Sequence, residues 1–278
     1  MVTVQESKLR QHGIIKINGY QIFEMHRAGL GGGLLTAVRH ELEPVLVNQC
    51  EEAEIMVVQV KVGSNSIRII NAYAPQDSDV SNRNKLIFWQ SLEKEIILAH
   101  EAGTEIVIEL DANGKVGPDV IPNDPNMQTE NGKFLMEILS RQNLHLVNAS
   151  DLCKGTITRQ RIAAGRVEMS ILDYIIVSEE LFDQLEDMLI DEDRIHVLTK
   201  YATTKGIQKK TESDHNVMFA KFKLEVQQGR RKERIEVVEF RNINSQKSYF
   251  EETNSIQKFR NVFSSQNDVE QNAQKIYQ

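Results

Sequence analysis

Glu105-Ile106-Val107-Ile108-Glu109-Leu110-Asp111-Ala112-Asn113-Gly114 is the stretch on which the fold is read. Its first part is apolar and β-branched almost throughout, the pattern of a buried strand, and the strand stops abruptly at a polar turn beginning with Asp111. Just upstream, Leu86, Phe88, Trp89, Leu92, Ile96 and Ile97 recur at spacings of three and four, and Gly103 follows them. That periodicity predicts an amphipathic helix over about residues 81–100, with Trp89 on its core face. A polar turn at the end of a buried strand is a common seat for catalytic groups.

Working outward, the chain before this unit is strand-rich. Short apolar runs at Met1–Val4, Leu34–Val38, Ile55–Val62 and Ile67–Tyr73 are separated by turn chemistry at Gly13, Asn18-Gly19, Gly29–Gly33 and Gly63-Ser64-Asn65. The glycines of 29–33 precede a strand pattern and no Lys-Ser/Thr, so they read as a hairpin connection and not as a phosphate loop. Downstream, a second helix is predicted at Gly132–Asn143 and a short one at Glu179–Met188, with strands near 144–147, 155–159, 172–177 and 217–223. Strands dominate both ends and alternate with helices between, which predicts an α/β fold, a four-layer α/β/β/α sandwich of two packed mixed sheets flanked by helices. Beyond Glu225 the character shifts to Gln, Asn, Ser and mixed charge, with Arg230-Arg231-Lys232 as a basic mark. Residues 1–225 are expected to form one domain, and 226–278 a linker or tail, partly helical or disordered.

Composition narrows the function classes. The 278 residues carry 33 Lys and Arg against 40 Asp and Glu, a net charge of -7, which argues against a generic basic nucleic-acid coat protein but not against a local binding cleft. No stretch approaches the roughly 20 apolar residues of a membrane span, and no secretory leader pattern is present, so no membrane role is expected. Cys50 and Cys153 alone make neither a disulfide framework nor a zinc site, and an intracellular compartment is the expectation.

The chemistry lies in short polar clusters, each at a predicted strand end: Gln5-Glu6-Ser7, Asn71-Ala72-Tyr73-Ala74-Pro75, Asp111-Ala112-Asn113, Ser170-Ile171-Leu172-Asp173-Tyr174 and Ser213-Asp214-His215-Asn216. In a two-sheet sandwich, strand ends of like orientation converge on one rim. Carboxylates gathered there suit Mg²⁺, which takes hard oxygen ligands and needs only one or two from the protein to hold it against a phosphate. Phosphodiester cleavage also needs a base for water, a donor opposite it and neutralised phosphate charge. Taken singly, each residue has an ordinary reading. Glu6 is then a surface carboxylate, Tyr73 a core tyrosine, Asn71 a strand-end cap, Asp111 and Asn113 a turn, and Asp173 and His215 a buried pair.

Taken in order, the five clusters resemble the motifs of the endonuclease/exonuclease/phosphatase superfamily, and within it the apurinic-type endonuclease domain of non-LTR retrotransposons. The likeness covers approximately residues 1–225. It implies a metal-dependent phosphodiesterase, a DNA-nicking endonuclease of a retrotransposon polyprotein, using Mg²⁺ or alternatively Mn²⁺. DNA is the implied partner, with a reverse transcriptase domain in a full-length polyprotein and a nuclear site of action. On this resemblance Glu6 is a metal ligand, with Asp214 in or near the metal shell. Asp111 positions or deprotonates the attacking water, and Asn113 holds that water and the scissile phosphate. His215, oriented by Asp173, donates to the phosphate, and Tyr73 supports the phosphate or leaving group. Asn71, Arg159 and Arg161 are placed on the substrate side, with Arg166, Lys205, Lys209 and Lys210 as further basic residues able to meet phosphate. Two other readings keep the fold: action on abasic DNA, RNA or a small phosphoester, or a catalytically impaired nucleic-acid-binding or assembly fragment.

The sequence departs from the family pattern at three places. Leu110 stands where a glycine precedes the aspartate, and Ala112 where a bulky residue follows it. The chain opens directly on the strand leading to Glu6, whereas family members carry an earlier strand with an Asn near the metal. A domain lacking that first strand is expected to be weakly active or inactive. No polymerase signature follows the domain before Gln278.

Overall fold

The computed structural model describes residues 1–8, 15–27, 32–78, 82–163, 165–196, 199–204, 207–228 and 231–242. In chain order the strands are β1 (Val2–Val4), β2 (Tyr20–Met25), β3 (Leu34–Arg39), β4 (Val45–Cys50), β5 (Ile55–Val62), β6 (Asn65–Tyr73), β7 (Glu105–Asp111), β8 (Leu144–Leu146), β9 (Cys153–Lys154), β10 (Arg159–Ala163), β11 (Arg166–Ser170), β12 (Asp173–Ser178), β13 (Leu185–Ile190), β14 (Thr199–Thr204), β15 (Ile207–Glu212), β16 (Met218–Gln228) and β17 (Arg231–Asn242). The helices are α1 (Asn82–Glu101), α2 (Glu130–Gln142) and α3 (Glu179–Phe182).

The long apolar runs become the centre of a six-stranded sheet ordered β4-β5-β6-β7-β12-β8, in which β6 and β7 are parallel and the other neighbours antiparallel. Both faces of this sheet are covered, which is why β7 shows a nearly continuous apolar run and not an alternation. Its even residues, Ile106, Ile108 and Leu110, pack toward Phe88, Trp89, Leu92 and Ile96 of α1 and Leu135, Ile138 and Leu139 of α2. Its odd residue Val107 lies in the core shared with the second sheet, beside Ile69, Ile175, Met188, Met218 and Phe222. By strand alternation Glu109 and Asp111 face that way too. The second sheet is seven-stranded and mixed, ordered β2-β3-β1-β17-β16-β13-β9. The molecule is thus the expected α/β sandwich of two packed sheets, with α1 and α2 covering the six-stranded one. The β10-β11 and β14-β15 hairpins are separate two-stranded sheets.

The helix ends follow local chemistry. The α1 helix stops before Gly103, which takes φ 61 and donates its N–H to His100 O at 3.0 Å. The α2 helix is capped by Asn143 at φ 51, a left-handed conformation that Asn tolerates and that closes the last turn onto Leu139 O.

Three expectations are corrected. The helix from Glu179 ends at Phe182, because residues 185–190 find an antiparallel partner in β16 and become β13. The strand expected at 155–159 falls instead on β9 and on β10, which starts at Arg159. Residues 231–242, read as linker, form β17, which pairs antiparallel with β16 and, at Thr3 and Asn242, parallel with β1. The β-branched run Ile235 to Val238 favours a strand, but polar and charged neighbours mask it in composition. With β3 on its other side, β1 is paired along both edges. Residues 243–278 lie outside the described residues, as do Lys205 and the side chains of Lys209 and Lys210.

Candidate active site

Register gathers the predicted residues at one end of both sheets. Tyr73 lies opposite Asp111 across β6 and β7, and Asp111 opposite Asp173 across β7 and β12, so one phenol and two carboxylates stand in a row. In the other sheet Thr3, Asn242 and Met218 form a row. Glu6, just past β1, and Asp214, just before β16, therefore leave their sheet at a common end. Two hydrogen bonds join the ends: the Tyr73 hydroxyl donates to Glu6 Oε1 at 2.7 Å, and His215 Nδ1 lies 2.8 Å from Asp173 Oδ2.

Backbone geometry fixes each side chain. Ala74 N–H donates to Asp111 O, and Asn113, at φ 44, donates its own N–H to Asp111 Oδ1 at 3.0 Å and its amide to Ala74 O at 2.8 Å. Asp173 is held from behind: its N–H and that of Leu172 donate to Thr158 Oγ1, and its carbonyl accepts from Asn148 Nδ2. Glu6 sits in a left-handed turn, φ 49, closed by Ser7 N–H to Gly33 O at 2.9 Å and Lys8 N–H to Gly32 O at 3.0 Å. Glu54 in turn anchors those glycines by accepting Gly33 N–H at 2.8 Å.

The charges are strongly coupled. Burial alone would pull the His215 imidazolium down, but Asp173, reinforced by Asp111 and Asp214, outweighs it and holds the pKa up at about 9. His215 is therefore a cation at neutral pH and a proton donor. Burial opposes ionisation of Asp214, yet His215 and Arg159 hold that carboxyl below the usual carboxylate range. Burial, then Glu6 and Asp111, push the Tyr73 phenol far up, so it stays a neutral donor. Asp111, Asp173 and His215 bring potential ligand atoms within 4.8 Å of one another. A cationic imidazole engaged by Asp173 is a poor metal ligand, however, and this trio reads as proton-handling machinery. The hard-oxygen pair Glu6 and Asp214 fits a divalent cation by donor chemistry, although each already carries a basic partner. Lys8 Nζ is 2.9 Å from Glu6 Oε2, and Arg159 Nη2 is 2.8 Å from Asp214 Oδ2.

One substrate-side assignment does not hold. Asn71 is fully buried, accepting from Gln5 Nε2 at 2.8 Å and donating to Leu35 O at 2.9 Å, so it ties the two sheets together beneath the rim. Arg161 is exposed on β10 opposite Glu168 of β11. The sequence reading missed Asn131, Asn148, Thr158 and Glu54. Asn131 is the hub under the site: it accepts from Trp89 Nε1 and donates to the carbonyls of Pro75 and Ala112. Nothing in its spacing marked it beyond its place at the start of a predicted helix.

No protein-family model matches the chain, and no curated protein matches it. Solved structures do. The fold is one shared with nucleases of known structure. The endonuclease domain of TRAS1, a telomere-specific non-LTR retrotransposon, aligns with a TM-score of 0.52 and 20% identity over 74% of this chain and 81% of that one. The 3'-5' exonuclease of Neisseria meningitidis gives 0.55 and 15% over 79% and 88%, and an AP endonuclease from Archaeoglobus fulgidus 0.53 and 17% over 80% and 88%. All three are nucleases by description, and at these identities the likeness speaks for the fold.

Proposed function

We propose that this protein is a metal-dependent phosphodiesterase that nicks DNA, the endonuclease part of a retrotransposon polyprotein whose nick primes a reverse transcriptase. The observation that carries the reading is the convergence on one rim of Asp111, Asn113, Tyr73 and the Asp173–His215 pair with Glu6 and Asp214. Glu6 and Asp214 would hold a divalent cation, Mg²⁺ or Mn²⁺, whose chemistry when bound would be Lewis-acid neutralisation of the phosphate. The remaining work falls to the protein. Asp111, fixed by the Asn113 N–H, accepts the proton of the attacking water. The Asn113 amide aligns that water with the phosphate. His215, kept protonated by Asp173, donates to a phosphate oxygen, and neutral Tyr73 donates beside Glu6.

Supercoiled plasmid incubated with Mg²⁺ should convert to nicked circles, and Asp111→Asn should slow conversion by about 10²–10⁴-fold. A chain that leaves plasmid intact with Mg²⁺ and Mn²⁺ sinks the reading. Cleavage of abasic oligonucleotide or poly(A) alone would move the substrate and keep the chemistry. The basic partners on Glu6 and Asp214 favour one second reading, a nucleic-acid-binding fragment with impaired cleavage, whose signature is DNA binding without metal-dependent nicking.

A further inference from the structure

Arg159 opens β10, and the backbone around it is stitched to the turn that carries Asp214. Gln160 N–H donates to Asp214 O at 2.7 Å, Asn216 N–H donates to Thr158 O at 2.6 Å, and Arg159 and His215 form a β-bridge. So held, the guanidinium sits on Asp214 with Nε at 2.9 Å and Nη2 at 2.8 Å from the same oxygen, Oδ2. The pair is part-buried, its side chains 23% and 43% exposed, so solvent does not fully screen it. A divalent cation and a guanidinium on one carboxylate oxygen repel each other, and binding of the first weakens the hold of the second. The released group has a natural destination, because the planar fork that grips a carboxylate also matches a phosphate.

We propose that Arg159 is an exchangeable counter-ion: it neutralises Asp214 in the metal-free protein and, when a divalent cation takes that carboxylate, is freed to bind a phosphate of the substrate backbone. The inference rests on Asp214 being a metal ligand, as proposed above. It makes metal and DNA binding cooperative, because each removes a reason for Arg159 to stay on Asp214. It also predicts effects of opposite sign from one substitution, which loss of a merely structural ion pair does not produce.

The test uses the full chain freed of metal, titrated with Mn²⁺ and followed by electron paramagnetic resonance without DNA. Arg159→Met should bind Mn²⁺ about tenfold more tightly than the unaltered protein, the effect of removing one nearby positive charge. Arg159→Lys should keep close to the original affinity, and Asp214→Asn should bind more weakly. DNA binding, measured with non-cleaving Ca²⁺ present, should weaken in Arg159→Met, and its log-log salt slope should fall by about 1. Circular dichroism confirms that each variant is folded. Equal or weaker Mn²⁺ binding by folded Arg159→Met, with Asp214→Asn still weakened, overturns the inference alone. Mn²⁺ binding indifferent to Asp214→Asn removes the metal assignment and the inference with it.

Discussion

Glu109→Gln is expected to abolish a large part of the pH dependence of stability. Glu109 lies one alternation below Asp111 on the inter-sheet face of β7, in register with Asn71 and Ile175. It is completely buried, and neither carboxyl oxygen has a hydrogen-bond partner among the described residues. Burial pushes its pKa from 4.5 up to about 8, with the N-terminal amine opposing. Between those values the folded carboxyl is protonated while the unfolded one is ionised. The stability it contributes is therefore complete below about pH 4.5 and lost as pH rises through about 8. At about 1.4 kcal/mol per pKa unit, that rise corresponds to ~5 kcal/mol, a large share of the 5–15 kcal/mol typical of a domain. Glutamine keeps the shape and cannot ionise. Urea unfolding at steps from pH 4.5 to 9 should show the unaltered protein losing ~3–5 kcal/mol more across the range than Glu109→Gln loses. The His215 contribution falls in the same direction but is common to both proteins and cancels. Parallel stability curves would refute the argument, showing that Glu109 finds a partner or water in the folded state.

Asp173→Asn removes the main charge that holds His215 up at about 9, and burial then draws the imidazolium down against Asp111 and Asp214 alone. Nicking at pH 7.5 should drop by about 10²-fold or more, and the alkaline limb of the pH–rate profile should move to lower pH; an unmoved limb rules out His215 as the donor. The stability from that pair is full below 6.5 and lost through about 9, so unfolding of Asp173→Asn should be flatter over this window. Asn131→Ala leaves Trp89 Nε1 and the carbonyls of Pro75 and Ala112 without their buried partner. A loss of ~3 kcal/mol is expected by thermal denaturation, with lowered activity because both tied loops carry site residues. In Gly132→Ala the new Cβ would lie 1.9 Å from the backbone oxygen of Lys115, which cannot swing aside. A loss above ~3 kcal/mol or insoluble expression is expected, and an unchanged melting temperature would contradict the packing.

The strands that carry the site, β6, β7 and β12, were legible because sandwich burial writes itself as long apolar runs, and α1 because a one-sided helix writes itself at a period of 3.6. Strands β13 and β17 were not, since what makes them strands is a partner, β16, lying opposite. In the site, the polar clusters at strand ends were legible as types in an order. Asn71 was misread because a motif does not say which face its side chain takes, and here it faces buried Gln5 and Leu35. Asn131, Asn148 and Thr158 carried no local signal, because each acts by hydrogen bonds to segments far along the chain.

By itself, the sequence determined the elements around the site, β6, β7, β12 and α1, and that acid, amide, phenol and imidazole groups stand where strands stop, because propensity, periodicity and turn chemistry act over a few residues. Only the tertiary structure decided which groups meet. Asp173 lies beside His215, Tyr73 beside Glu6, Arg159 on Asp214, and the Glu109 carboxyl has no hydrogen-bond partner among the described residues. Those meetings depend on strand order and register across two sheets. Register is set by packing the whole sandwich, and no local stretch encodes it.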